Sequence, residues 1–331
     1  MSMPGTTRRD FLRTAVSLAG VAGLGGVAGC PGDPLFGDDG FAATAVLKAR
    51  AYDERLWEVV EEGMRLIPPP DVRGKRVLLK ANFVDLPRAG RPVVTNPMLL
   101  GALVEAFRGR GAAEVLIGDG PALQRDAYEI LDAAGMTPLL DELGIRFVDL
   151  NLDDLVRLPN AGNATGLSEL YLAATAYHAD VLVSVPKMKT HHWAGVSLAM
   201  KGMFGIMPAA VYGWPRNRFH RHDPHHAVFD FNRTRSPDYC IIDGVMAMEG
   251  NGPIQGTPRE MGVLVFGDNA TAVDATACRV MGLRPERIGY LQKAAGVLGP
   301  VSDSRIEQRG EPLASVAASF AVVDHFAWLR A

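Results

Sequence analysis

Residues 181–192 read V-L-V-S-V-P-K-M-K-T-H-H, and this stretch decides the fold. Its first five residues are apolar or small, which predicts a strand buried on both faces of a sheet. Pro186 ends that strand, because proline cannot donate to a strand ladder. Alternate residues of extended backbone share a face, so we expect Lys187, Lys189 and His191 to project together. A buried strand that leads directly into these side chains predicts a ligand site at its end.

Apolar runs of the same kind recur along the chain. Including this one, the six predicted strands are 76–79, 114–117, 145–150, 181–185, 239–242 and 262–266. Helical periodicity is found near 54–66, 97–110, 124–143, 168–178, 194–204 and 271–282. This alternation predicts an α/β fold, with a doubly wound, mostly parallel sheet and helices on both faces. Residues 205–237 break the rhythm, and we interpret them as an irregular His/Arg-rich insertion that covers the site.

The composition is that of a globular protein. Of the 331 residues, 48% are hydrophobic and 21% are charged, which excludes a disordered chain. The formal net charge is −3 and there is no basic tract, so no nucleic-acid partner is expected. Three cysteines are too few for a disulfide framework or a four-cysteine metal site. Cys240 and Cys278 lie in apolar patterns, either as buried free thiols or as a pair.

The amino terminus has the layout of an export signal. Residues 7–13 read T-R-R-D-F-L-R and precede a weakly apolar run rich in glycine and alanine. The arginine pair before Phe11 and Leu12 predicts a twin-arginine signal, and the alternatives are an ordinary secretory signal or a chance arginine pair before an apolar helix. The segment ends V-A-G-C at Cys30, which resembles a bacterial lipobox in which the cysteine is lipidated. A plain cleavage site beside an incidental cysteine is the alternative.

These features divide the chain into three parts. Residues 1–29 are the predicted signal peptide, 30–45 a tether rich in Gly, Asp, Pro and Ala, and 46–331 a single α/β domain. The expected location is the periplasm or the outer cell surface, with anchoring in the membrane through lipid on Cys30. The twin-arginine export machinery is then one expected partner.

Charged and polar residues follow four of the predicted strands. They are Lys80 and Asn82, Asp119, the 187–191 stretch, and Asp243 with Glu249 and Asn251. Because the carboxyl ends of parallel strands meet at one edge of a sheet, we expect these side chains to share one pocket. Each segment alone is an ordinary turn or strand end, but four of them on one edge favour a site.

The residue types indicate the chemistry of that pocket. Lys187, Lys189 and Lys80 would bind the carboxylate or phosphate of a small anionic substrate, with Asn82 and Asn251 beside it. Lys187 and Lys189 are also, with His191, the predicted catalytic residues. His191 would serve as general acid/base, because imidazole titrates near neutrality. A second group of residues would bind a divalent metal or tune the lysines, and its members are Asp119, Asp243 and Glu249.

Two further features allow alternative interpretations. Lys201 lies on a mostly apolar helix, from which its amine reaches either water or the cleft, and we include it among the substrate-binding candidates. The insertion holds a histidine cluster, whose members are His220, His222, His225 and His226. The cluster is a candidate transition-metal site or a solvated basic loop, since the neighbouring arginines suit an anion better than a cation.

Five blocks of sequence resemble one family. They are K-A-N-F-V, G-D-G-P, V-P-K-M-K-T-H-H, S-L-A-M-K-G-M-F-G and I-I-D-G-V-M-A-M-E-G-N-G-P-I-Q-G-T-P, and A-V-D-A follows them. Together they resemble the DUF362 family of uncharacterised proteins over about residues 75–285. Ala81 and Gly202 depart from the pattern, where proline and Lys-Asn are usual. The motif positions are Lys80, Asp119, Lys187, Lys189, His191, Lys201, Asp243, Glu249 and Asn251. Some members are iron–sulfur fusions, but this chain lacks their clustered cysteines, so no Fe–S cluster is expected.

The resemblance supplies no reaction, so the function rests on the charged strand ends. They favour an exported enzyme that acts on a small anionic substrate through a Lys/His/carboxylate site. The alternatives are a non-catalytic anion-binding lipoprotein and a metal-handling lipoprotein.

Overall fold

A computed structural model describes residues 40–88, 90–122, 125–214, 216–220 and 223–330. The predicted signal 1–29, the lipidation site Cys30 and the first part of the tether lie outside these residues. The first strand begins at Ala42, so the folded domain starts before residue 46, inside the predicted 30–45 tether. Its alanines gave too weak an apolar signal to predict a strand. No helix of the described part is long and apolar enough to cross a membrane.

The described residues form twelve strands. They are β1 (Ala42–Lys48), β2 (Arg76–Lys80), β3 (Glu114–Asp119), β4 (Phe147–Asp149), β5 (Leu155–Pro159), β6 (Glu169–Ala173), β7 (Val181–Ser184), β8 (Lys187–His191), β9 (Gly195–Ser197), β10 (Tyr239–Glu249), β11 (Thr257–Gly267) and β12 (Ile306–Gly310). The main sheet runs in the order β12-β1-β11-β10-β7-β2-β3-β4. Strands β10, β7, β2, β3 and β4 are mutually parallel, whereas β11 is antiparallel to both β10 and β1. Strand β8 pairs with β10 and β9 beside this path, and β5 and β6 form a separate antiparallel hairpin.

Helices cover both faces of the sheet. They are α1 (Leu56–Leu66), α2 (Pro97–Gly109), α3 (Ala127–Ala133), α4 (Thr137–Leu143), α5 (Ala174–Tyr177), α6 (Ala199–Gly202), α7 (Ala209–Tyr212), α8 (Asn217–His220), α9 (Pro224–Thr234), α10 (Ala270–Val280), α11 (Gly289–Ala294) and α12 (Leu313–Val316). Alternate residues of β2 enter different cores: Val77 and Leu79 pack with α1 and α2, and Leu78 packs with α9 and α10. The predicted α/β class with a mostly parallel sheet is therefore confirmed.

Three predicted helices differ from the structure. Within 168–178, residues 169–173 form β6, because Leu170 and Leu172 are buried while Tyr171 between them is only partly buried. The 194–204 region starts with β9 and then continues as α6 and a 3₁₀ turn. The helix at 124–143 is split into α3 and α4 by Gly135, whose φ of +71° lies in the left-handed region that favours glycine. The insertion 205–237 contains the eleven-residue helix α9.

An ion pair joins the ends of β2 and β3, where the sheet meets the insertion. The Nζ atom of Lys80 lies 2.6 Å from Oδ1 of Asp119, and both side chains are almost fully buried. Lys80 also donates to the carbonyl of Ala81 at 2.6 Å. The amides of Phe83 and Gly120 donate to the Asp119 carboxylate. Both charges are therefore neutralised within the fold, as buried charges must be.

The insertion packs onto this pair through two glycines. A Cβ atom on Gly205 would lie 2.6 Å from Nζ of Lys80 and closer still to Oδ1 of Asp119. A Cβ on Gly120 would lie 2.7 Å from the Gly205 carbonyl oxygen. The Arg216 side chain fixes the contact, because it donates to the carbonyls of Gly120, Pro121 and Met207. The backbone at these positions can approach the ion pair only because neither residue has a side chain.

We predict that Gly205→Ala destabilises the protein by about 3 kcal/mol, through overpacking and displacement of a buried ion pair. Denaturant unfolding followed by circular dichroism measures this change in the free energy of unfolding.

Gly202→Ala is the matched control in the same segment. Its added Cβ would make only ordinary contacts, 3.4 Å from Ser184 and 3.5 Å from Pro186, so its unfolding free energy should change by less than about 1 kcal/mol. Equal unfolding midpoints for the two variants would show that Gly205 does not press on the ion pair.

Candidate functional site

A cleft lies above the carboxyl ends of β2 and β3, under the insertion. It holds about 900 Å³ of empty space, its open mouth included. Five of the residues predicted from sequence line it: Lys80, Asn82, Asp119, His191 and Lys201. The other five do not line it, and they are Lys187, Lys189, Asp243, Glu249 and Asn251. Half of the residues predicted to share one pocket therefore do so. The other half lie elsewhere, with other partners.

Lys187 and Asp243 neutralise each other below the cleft. Nζ of Lys187 lies 3.0 Å from Oδ2 of Asp243, and both side chains are buried. The Tyr52 hydroxyl accepts from Lys187 at 2.6 Å and donates to Asp243 at 2.7 Å. Burial lowers the pKa of Lys187, and the charge of Asp243 opposes that change. We predicted a catalytic role for Lys187, but its amine is engaged in this network.

Lys189 ties two loops together. Its amine donates to the carbonyl of Val93 at 2.7 Å and to that of Pro253 at 3.5 Å. The side chain is fully buried, and burial holds the pKa of Lys189 well below its ordinary value, with the nearby charge of Lys187 acting in the same direction. The predicted catalytic role of Lys189 therefore has a structural alternative, because Pro253 is itself a wall of the cleft.

The three predicted metal ligands do not meet. Asp119 is engaged by Lys80, and Asp243 by Lys187 and Tyr52. Glu249 pairs with Arg259 at 3.3 Å and accepts the Ala321 amide at 3.0 Å. Among the described residues, no group of three or more His, Cys, Asp or Glu side chains is arranged to hold a metal. The reason is that Asp243 and Glu249 lie within one long strand, β10, six residues apart, whereas the sequence placed both in the turn after a strand ending at residue 242.

Asn251 and the remaining histidines are also dispersed. Asn251 is exposed, on the turn after β10. In the histidine cluster, His220 faces the cleft, and His226 lies 3.6 Å from Asp223. The ring of His225 packs near Tyr290. His222 lies outside the described residues, so the metal site predicted there is not assembled by the other three. Cys240 and Cys278, not lining the cleft, are both buried and free.

Lys201 is the buried lysine whose amine has no hydrogen-bonding partner among the described residues. Its residue is 7% exposed, and Nζ lies 3.4 Å from the centre of the Phe204 ring. Burial, followed by the charges of Arg216 and Lys80, lowers the pKa of Lys201 to about 7. At neutral pH this amine is thus divided between its charged and neutral forms.

Asp274 fixes the short helix that carries Lys201. Its carboxylate accepts the amides of Ala199 and Met200 at 2.7 and 3.1 Å, which are the first two residues of α6. The Tyr290 hydroxyl donates to the same carboxylate at 3.0 Å. Burial raises the pKa of Asp274 to about 7, and these hydrogen bonds oppose that change. Asp274 itself belongs to α10, so one helix here caps the amino terminus of another.

The cleft carries an excess of positive charge. Lys80, Lys201 and Arg216 line it, and Asp119 is the sole acidic side chain among its described lining residues. Burial lowers the pKa of Arg216 to about 10, so its guanidinium stays charged at neutral pH. Four of its five N–H groups are used by Met207, Pro121, Gly120 and Asn151. Arg216 therefore mainly holds these loops together and contributes a fixed positive charge to the cleft.

Two adjacent histidines present complementary nitrogens. The amides of Trp193 and Ala194 donate to Nδ1 of His191, at 3.0 and 3.3 Å, so the neutral ring carries its proton on Nε2. Burial holds the pKa of His191 well below its ordinary value, which keeps the ring neutral. Nδ1 of His192 lies 2.6 Å from the Gly252 carbonyl, which can only accept, so the lone pair of the neutral ring is on Nε2. The neutral His191 ring thus offers a donor on Nε2, and the neutral His192 ring offers an acceptor on Nε2.

Sequence reasoning missed several lining residues, and His192 is the most important of them. The alternation rule places His192 on the opposite face from His191, but β8 ends at His191 and alternation stops there. The T-H-H sequence was the available signal. Arg216 and His220 come from the insertion, where no periodic pattern predicts which side chain turns inward. Trp193 and Phe204 add aromatic walls.

Comparison with known proteins identifies the family. The model described as a domain of unknown function, DUF362, matches residues 77–279. A thylakoid-associated protein of Synechocystis is 30% identical over 248 residues, which are 70% of this chain and 74% of that protein. The imidazole glycerol phosphate synthase subunit HisF of Alkaliphilus metalliredigens is 37% identical over 91 residues, or 26% of this chain and 33% of that protein.

One solved structure extends the comparison. The lactate racemase apoprotein of Thermoanaerobacterium thermosaccharolyticum superposes with a TM-score of 0.47 at 14% identity, over 73% of this chain. This chain spans 57% of the length of that protein. With the family model matching most of the domain and the Synechocystis relative matching most of both chains, this chain belongs to the DUF362 family.

Proposed function

We propose that the protein is an enzyme that binds a small organic anion in the cleft and moves a proton to or from it. The observation that carries this proposal is the convergence of Lys80, Lys201 and Arg216 on one cleft whose sole described acidic lining residue, Asp119, is already paired. An uncompensated cation in a buried cleft is expensive, and an anionic ligand relieves that cost.

The shape and lining of the cleft narrow the ligand. Trp193 and Phe204 supply apolar surface beside the charges, which suits the carbon skeleton of an organic anion better than a bare inorganic ion. Lys201 provides the contact to the negative group, because the other two cations are largely used within the protein. The Asn82 side chain adds an amide whose Oδ1 is buried without a partner in the described part of the chain.

The histidine pair supports catalysis over simple binding. His192 holds a lone pair on Nε2, and the Gly252 carbonyl orients its ring through Nδ1, which is the arrangement of a general base with an orienting group. The neutral His191 ring holds a hydrogen on Nε2 that can polarise a substrate oxygen. A binding module needs the lysine but has no use for two oppositely arranged imidazoles.

Lys201→Met and His192→Gln separate binding from catalysis. We expect Lys201→Met to weaken propionate binding in calorimetry by about 2 kcal/mol or more, roughly thirtyfold in Kd, because the ammonium contact is lost. We expect His192→Gln to keep that affinity, since glutamine can still donate to Gly252, but to lose exchange of the pyruvate methyl protons with D₂O, followed by NMR.

Lys75→Met is the matched control, since Lys75 precedes β2 at the opposite edge of the sheet and loses the same charge. It should leave both readouts unchanged. Propionate binding that survives Lys201→Met would contradict the anion site. Methyl exchange that survives His192→Gln would show that His192 is not the base, and absence of exchange in the wild-type protein would favour the non-catalytic anion-binding alternative.

We also propose that the chain is exported through the twin-arginine pathway and anchored by lipid on Cys30. The support is the sequence of the first 30 residues, with its arginine pair and its V-A-G-C ending. The Synechocystis relative is named as thylakoid-associated, and a lipid anchor is one way for a chain to associate with a membrane. The site would then face a compartment outside the cytoplasm.

Cys30→Ala tests the anchor in a bacterial host with twin-arginine export. We expect the wild-type protein to incorporate an alkyne-tagged fatty acid and to resist carbonate extraction, because each buried CH₂ contributes about 0.8 kcal/mol. The variant should lose the label and become extractable.

Ser17→Ala, within the apolar run, is the control and should behave as wild type. A Cys30→Ala protein that remains in the membrane pellet would rule out the anchor.

A further inference from the structure

Lys201 differs from the other three buried lysines in what surrounds its amine. Lys80 pairs with Asp119, Lys187 pairs with Asp243, and Lys189 donates to two carbonyls. In the described part of the chain, the Lys201 amine makes no hydrogen bond and no ion pair, and its close contact is the Phe204 ring. The free-energy cost of taking this ammonium out of water is therefore not offset by any group of the fold. Anion binding uses only the charged form of the amine, so it gives no role to the neutral form.

The position of the amine is nevertheless fixed. The Phe204 ring covers one side of it at 3.4 Å, and the helix carrying it is capped by Asp274. The remaining side faces the cleft, which Lys201 lines. A lysine held in one place, open to a cleft and free of acceptors is arranged to react through its nitrogen.

The charges nearby favour the neutral amine. Burial is the largest cause of the lowered pKa of Lys201, and Arg216 and Lys80 add to it. A desolvated lysine beside other cations is one recognised way of making a nucleophilic amine at neutral pH. Lys189 is also desolvated, but its amine is engaged by Val93 and Pro253 and does not line the cleft.

We propose that the substrates are small 2-oxo acids and that Lys201 forms an imine with their carbonyl carbon, an inference that rests on the proposed function of the cleft. A 2-oxo acid places an electrophilic carbon next to a carboxylate. When Lys201 loses its proton, the Arg216 guanidinium remains charged and still attracts the carboxylate, while the neutral amine meets the adjacent carbon. A plain carboxylate or phosphate satisfies the charges but gives the amine nothing to attack.

The step balances without any co-reactant. The nitrogen lone pair of neutral Lys201 attacks the carbonyl carbon, and the π pair moves to oxygen, which takes up a proton while the nitrogen releases one. The resulting hydroxyl then takes up the second proton of the nitrogen and leaves as water as the C=N bond forms, so that one amine and one ketone give one imine and one water. His191 can supply a hydrogen bond to the oxygen, and His192 can accept a proton. The unpartnered Oδ1 of Asn82 is an acceptor for the hydroxyl of the intermediate.

Reductive trapping tests this proposal on the full folded protein. Pyruvate or the larger phenylpyruvate is added with sodium cyanoborohydride, which reduces an imine to a stable secondary amine. Intact-mass spectrometry should show one adduct for each chain, and peptide mapping should place it on Lys201. The yield should rise as the pH passes through 7, whereas propionate binding should weaken over the same range, because the first needs the neutral amine and the second the ammonium.

Two variants make the result decisive. Lys201→Arg keeps the charge and should bind propionate but lose the adduct, and Lys75→Arg should retain the adduct. The adduct is mapped on the wild-type protein, so a folding defect in Lys201→Arg does not affect that result.

Propionate binding without any Lys201 adduct would contradict imine formation while leaving the anion site intact. Failure of propionate to bind would instead overturn the proposed function. Pyruvate methyl exchange that proceeds without trapping would assign the proton transfer to His192 alone.

Discussion

Four buried lysines at one edge of a mostly parallel sheet are the constraint on which this structure depends. The chain has seven lysines, and Lys80, Lys187, Lys189 and Lys201 are each less than a tenth exposed. An ammonium taken out of water needs a partner or must lose its proton. Three different solutions are built into the fold: a carboxylate beside Lys80, a carboxylate with a tyrosine beside Lys187, and backbone carbonyls at Lys189.

The fourth lysine, Lys201, has no such partner within the fold, and in our proposal the ligand supplies one. The packing around the cleft holds this lysine and the cleft walls in place. The insertion reaches the ion pair of β2 and β3 because Gly120 and Gly205 leave room for close backbone contact, and Arg216 fastens it there. Lys189 holds the loop that ends in Pro253 against the same cleft. Lys80 and Lys189 therefore help to build the walls of the cleft. Stability and function at this edge draw on the same charged groups.

The sequence allowed the fold class and the edge of the sheet to be predicted, because both depend on short-range patterns. Continuous apolar runs marked the central strands, and the rule that ligands bind at the carboxyl ends of parallel strands located Lys80, Asp119 and His191. The short strands and the strands at the sheet edge were not predicted, because three to five half-buried residues resemble a helix segment or a loop. Strand β6 is an example, where alternation over five residues was interpreted as part of a helix.

The partners of the site residues were beyond sequence reasoning, because pairing is decided by packing between distant segments. Asp243 was placed at a strand end, yet β10 continues for six more residues through its pairing with β8 and β11. This extension removes Asp243 and Glu249 from the cleft. The position of the His192 side chain depended on where β8 ends. The strand ends at His191, so the alternation of faces no longer applies at the next residue. Lys201 was found in sequence as a lysine on an apolar helix, but its isolation from carboxylates depends on residues far away in the chain.

The ionisation of Lys201 is the most direct test of this account. NMR of protein labelled with ¹³C at the lysine Cε position resolves the titration of each lysine, and the resonance missing from Lys201→Met assigns the relevant one. We expect that resonance to titrate with a pKa of about 7. A midpoint near 10.5, the ordinary pKa of lysine, would show that the amine is solvated or paired and would contradict an unpartnered amine in the cleft.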